Sequence, residues 1–82
     1  MLTDQLMTLA VNKNGFIFDP ESGISYTVND TGLFILKHLQ KGVEKEDMPK
    51  LLHEEYEVSL NSANSDVEHF WAMLKALRLV ED

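Results

Sequence analysis

Residues 23–42 constrain the fold more than any other stretch: Gly-Ile-Ser-Tyr-Thr-Val-Asn-Asp-Thr-Gly-Leu-Phe-Ile-Leu-Lys-His-Leu-Gln-Lys-Gly. Ile24, Tyr26 and Val28 alternate with Ser25, Thr27 and Asn29, the period of a strand with one buried face. The period then becomes helical. Leu33, Ile35, Leu36 and Leu39 recur at helical spacing, and Gly42 stands where a left-handed helix cap is wanted. Asn29 or Asp30 can cap the first turn by accepting from its free amides. A strand that feeds straight into a helix, with two further helices behind it, has little room for a partner strand. An unpaired strand beside a helix can serve as a docking site.

The rest of the chain predicts three short strands followed by three helices, an α+β fold. Residues 7–11 read as a weak strand. Asn12-Lys13-Asn14-Gly15 is a turn, because Asn-Gly supplies the positive φ angles of a tight hairpin. Phe16-Ile17-Phe18 is the second strand, and Pro20 and Gly23 mark the turn into a third strand over 24–28. The first helix spans about 30–41. Met48, Leu51, Leu52 and Tyr56 share one face of the second, whose start is capped by Asp47 or frays near Glu44, since Pro49 is tolerated only near a helix N-terminus. Ser65-Asp66-Val67-Glu68 has capping-box spacing, yet Ala63 falls in phase with Val67, Phe70, Leu74 and Leu77, which favours a third-helix start near Ser62. No repeat or linker interrupts the 82 residues, so a single domain over 1–82 is expected, with 1–6 flexible.

Projected at 100° per residue, Val67, Phe70, Trp71 and Leu74 form the core-facing arc of the third helix. Met73 and Leu77 widen that arc on one side. The extra width is either packing under a loop or against the strands, or a second contact surface; methionine is common on adaptable binding faces.

Composition removes several function classes. With no cysteine there is no disulfide, thiolate nucleophile or thiolate-held metal. His38, His53 and His69 fall on three different predicted helices without metal-ligand spacing. His53-Glu54-Glu55-Tyr56-Glu57 begins like a zinc-protease helix but has Glu57 where the second histidine belongs. No glycine-rich phosphate loop or nucleophile–base pair is present, so no catalytic residue, metal or cofactor is expected. The longest apolar run, residues 70–74, is five residues, far below the roughly 20 needed to cross a bilayer. The start has neither the basic region nor the apolar run of a signal peptide, so a cytoplasmic setting is expected. Net charge is −7, and Arg78 is the single arginine. Phosphate binding needs clustered Lys and Arg, so this balance argues against nucleic acid. It either steers a basic partner or is an ordinary solubilising surface.

One set of residues carries a resemblance. Val28-Asn29-Asp30-Thr31-Gly32 is followed by Ile35-Leu36, Leu39 and Gly42. Glu46-Asp47-Met48, Leu51, Tyr56-Glu57-Val58, Asp66-Val67, Phe70, Leu74 and Leu79-Val80-Glu81 come later. In order and spacing, from about Leu9 onward, this resembles the PqqD-like family. The resemblance implies a small winged-helix-like domain that binds the leader segment of a ribosomally made precursor peptide. It implies presentation of that peptide to a modifying enzyme, often a radical SAM protein, with no catalysis by the domain itself. Departures occur: the family usually has Gly before the closing Leu, where this chain has Arg78, and usually polar residues where it has Ala72, Met73, Ala76 and Leu77. They favour a peptide system other than the quinone pathway for which the family is named.

On that reading the peptide joins the third strand as a fourth, along Ser25, Tyr26, Thr27 and Val28. Phe70, Met73 and Leu77 are expected to form an apolar wall, with Asp66 and His69 at the rim. A monomer is expected, with a weak dimer as the alternative, and no membrane partner. Two rival readings remain at this level. A winged-helix DNA regulator would use residues 62–78 as its recognition helix, which offers only Lys75 and Arg78 against Asp66 and Glu68. A structural or dimerisation module would use the same exposed strand.

Overall fold

Two turns build the sheet. Asn12 Oδ1 accepts from the amides of Asn14 and Phe16, and Gly15, at φ +88°, reverses the chain where a side chain would be strained. The second turn is organised by Asp19, described below. In the computed structural model, which describes residues 3–81, the elements are α1 (Asp4–Thr8), β1 (Ala10–Val11), β2 (Phe16–Phe18), β3 (Ser25–Thr27), α2 (Asp30–Gln40), a 3-10 turn (Lys45–Asp47), α3 (Met48–Tyr56) and α4 (Leu60–Ala76). The strands form an antiparallel sheet in the order β1-β2-β3, with Phe16 opposite Thr27, Ile17 opposite Tyr26 and Phe18 opposite Ser25. The α+β class and the order of strands before the three long helices agree with the sequence.

The expected flexible segment over 1–6 falls partly outside the described residues. Met1 and Leu2 lie outside the described residues, but Asp4–Thr8 is helical. Thr3 caps it by accepting from the Leu6 amide, and its hydroxyl donates to the Leu79 carbonyl at 2.7 Å. Gln40 Nε2 donates to the Leu6 and Leu9 carbonyls, which satisfies the end of this short helix. Leu6 is fully buried. The expected strand over 7–11 therefore shrinks to Ala10–Val11, because Met7 and Thr8 belong to α1. The third strand is likewise shorter than 24–28.

Helix ends follow local chemistry. Asn29, of the two residues considered, caps α2 through the Gly32 amide. At the other end Val43 N donates to His38 O and Gly42 N to Leu39 O, a paired left-handed cap with Gly42 at φ +96°. Asp47 makes no side-chain cap of α3; the chain enters through the 3-10 turn after an extended Glu44, with Pro49 in the first turn of the helix. Ser59, not Ser62, starts α4, accepting from the Ser62 amide. The helix closes at Ala76, so Leu77 and Arg78 leave it.

The core lies where α2, α3 and α4 meet the inner face of the sheet. Leu36, Leu39, Leu52 and Leu74 are at most 1% exposed, and each such side chain contributes about 1.5–3 kcal/mol of burial. On α4 the core stripe is Ala63, Val67, Trp71 and Leu74. Phe70, expected in that arc, is half-buried at its edge. Lys45 crosses from the 3-10 turn to Glu68 at 3.2 Å and lies 5.0 Å from the Trp71 ring centroid.

Candidate functional site: the β3–α4 groove

Sheet order leaves β3 with one open side, and hydrogen bonding decides which groups point there. Asp19 N donates to Ile24 O, and Val28 N donates to Gly15 O at 3.0 Å. With Ile17 opposite Tyr26, the backbone groups of Ile24, Tyr26 and Val28 face β2. Antiparallel alternation then turns the N–H and C=O of Ser25 and Thr27 outward. Gly15 fixes this edge, because a Cβ there would lie 2.5 Å from the Val28 carbonyl oxygen.

Beside the edge opens a cavity of about 380 Å³. Thr27 and Val28 form one wall, Asp66, His69, Phe70 and Met73 of α4 the opposite one, and Asn29, Thr31, Gly32 and Ile35 of α2 the floor. Close approach of α4 to that floor depends on Gly32: a Cβ at this position would sit 3.0 Å from Phe70 Cε1. A second, narrow apolar cleft of about 10 Å³ continues from the first, lined by Tyr26, Val28, Phe70, Met73 and Leu77 together with core residues. Met73 is 38% exposed, Leu77 is half-buried and packs on the core.

Eight of the nine residues singled out in the sequence thus converge on the two cavities: Tyr26, Thr27, Val28, Asp66, His69, Phe70, Met73 and Leu77. Ser25 lines neither, and enters only through its outward backbone groups. The α2 floor was missed. Its signal was Gly32, since glycine in the first turns of a helix costs up to about 1 kcal/mol and calls for a close-packing reason.

Among the described residues no three His, Asp or Glu side chains are placed to hold a metal, and no helix is long and apolar enough to cross a membrane. Among the described residues, the two groups with shifted titration lie outside the groove. Asp19 is fully buried; burial alone would raise its carboxyl, but hydrogen bonds from Gln5, Ser22 and the backbone amides of Glu21 and Ser22 outweigh this and hold it below its usual value. Tyr56 is pushed up by burial, then by the carboxylates of Asp30 and Glu55. It braces α3 against α2, edge-on to Phe34 at 5.5 Å.

The site thus consists of an open strand edge beside a helix face. The chain belongs to the PqqD family, matching coenzyme PQQ synthesis protein D (PqqD) over residues 14–80. It is similar to a solved lasso peptide synthetase B1 complexed with the leader peptide, at 30% identity and a TM-score of 0.70, covering 84% of this chain and 82% of that one. No curated protein matches significantly.

Proposed function

We propose that residues 1–82 act as one non-enzymatic peptide-binding domain that recognises the leader segment of a ribosomally made precursor peptide and presents it to a modifying enzyme. The observation that carries this is the outward N–H and C=O of Ser25 and Thr27 beside the cavity walled by Asp66, His69, Phe70 and Met73. Family membership and similarity to a synthetase solved with a leader peptide support it. The peptide adds to β3 as a fourth strand, and its side chains enter the groove. Backbone pairing contributes about 1 kcal/mol per hydrogen bond, while docking and ordering a free peptide costs several kcal/mol or more, so apolar anchors on Phe70, Met73 and Leu77 are needed as well. The partner enzyme is a radical SAM protein or another modifying enzyme of the same cytoplasmic pathway, and the domain works as a monomer.

Calorimetric titration with synthetic leader segments of candidate precursor peptides tests the reading. Met73→Glu places a charge at the exposed rim of the wall and should weaken binding at least tenfold with an unchanged circular dichroism spectrum. Leu77→Glu is a poorer probe, because Leu77 packs on the core. An unchanged affinity for Met73→Glu would reject the groove as the peptide site. The peptide's mass should also stay constant when the domain is its only companion.

A further inference from the structure

The larger cavity contains one full charge. Asp66 is half-buried in its wall, and its carboxylate makes no hydrogen bond or ion pair with another described residue. No lysine or arginine lines the cavity. The opposing influence is the N-terminus of α2, worth about half a positive charge. That end is already capped by Asn29 and carries Asp30 in its first turn, so the carboxylate dominates the field inside. The whole chain, at −7, adds to the same sign.

Strand geometry places the ligand's side chains. A segment pairing with Ser25 and Thr27 sends the residues opposite Tyr26 and Val28 to the inner, α4-facing side. Tyr26 lines the apolar cleft with Met73 and Leu77. Val28 lines the cavity that holds Asp66. We infer that the groove selects a leader carrying a Lys or Arg two residues from an apolar side chain, the cation reaching Asp66 and the apolar group packing on the exposed side of Met73 at the mouth of the cleft. This inference rests on the peptide-binding reading and adds the chemical class of the peptide. A cavity of about 380 Å³ has room for either basic side chain.

The test is selection of displayed random twelve-residue peptides on the full chain, followed by synthesis of the peptides recovered. Lys or Arg should be enriched at one position, with an apolar residue two places away. Replacing that cation by norleucine should weaken binding about tenfold and flatten its salt dependence. Asp66→Asn, which removes no internal contact, should keep its thermal midpoint and lose the same factor, without a further loss for the norleucine peptide. Selection on Asp66→Lys should enrich Asp or Glu at that position instead. Peptides that shift the amides of β3 and α4 yet show no preference for a cation, or that bind Asp66→Asn equally well, would overturn the inference and leave the groove as the peptide site. Failure to recover any peptide, or amide shifts confined elsewhere, would reject the peptide-binding reading and the inference with it.

Discussion

Arg78 shows what a single residue contributes. Leu79 N donates to Leu74 O and Arg78 N to Lys75 O, which is the paired cap that glycine normally closes. Arg78 adopts φ 61° in that position. The backbone there is left-handed, the conformation glycine adopts most readily, and Arg78 holds it at a cost of about 1 kcal/mol. Arg78→Gly should raise stability by roughly that amount in urea denaturation; an unchanged or lower midpoint would contradict the assignment. Gly15 is the opposite case, with φ +88° and the Val28 carbonyl 2.5 Å from any added Cβ. Gly15→Ala should destabilise by about 2 kcal/mol or more. On the proposed reading it should also weaken leader binding, because the Val28 amide that Gly15 holds directly follows β3. A variant that kept full stability would show that the turn relaxes without moving β3.

Among elements, legibility followed the range of the interactions. The β2–β3 turn, the Asn29 cap and the Gly42 cap are settled by residues within a few positions of one another, and the sequence displayed them. The edge of β3 and the apolar flank of α4 were legible for the same reason, as was most of the candidate site. The five-residue α1 was not. It carries one buried leucine and is held by Thr3 to Leu79, Gln40 to its carbonyls, and Gln5 to Asp19, ties that no local pattern announces. The α2 floor escaped for a related reason, since Phe70 approaches Gly32 from a distant helix. Asp19 joins α1 to the hairpin, and its sign is testable. Its folded pKa is lowered, so its contribution is full above the unfolded value of about 3.9 and is lost as pH falls through the lower folded value. Asp19→Asn should lower the urea midpoint at pH 7, and the gap to the parent chain should close on acidification. A gap that stayed constant down to pH 2 would mean that the charged form is not what the buried site stabilises.

For the whole molecule, charge and groove point the same way. A chain of net charge −7 repels phosphate, and α4 presents Lys75 against Asp66 and Glu68, with Arg78 beyond its end. Duplex DNA should therefore show no sub-micromolar binding by fluorescence anisotropy at physiological salt, and sequence-selective binding would favour a regulator instead. On the proposed reading the same acidic surface attracts a basic peptide, and the sheet has an open edge beside an apolar wall. Backbone amide shifts of the isotope-labelled chain on adding its leader peptide test that account most directly. The shifts should cluster at residues 24–29 and 66–77, reach the first turn of α2, and bring exchange protection to the amides of Ser25 and Thr27. Shifts confined to α3 and the far end of α2, with Ser25 and Thr27 still exchanging freely, would contradict strand addition at this groove.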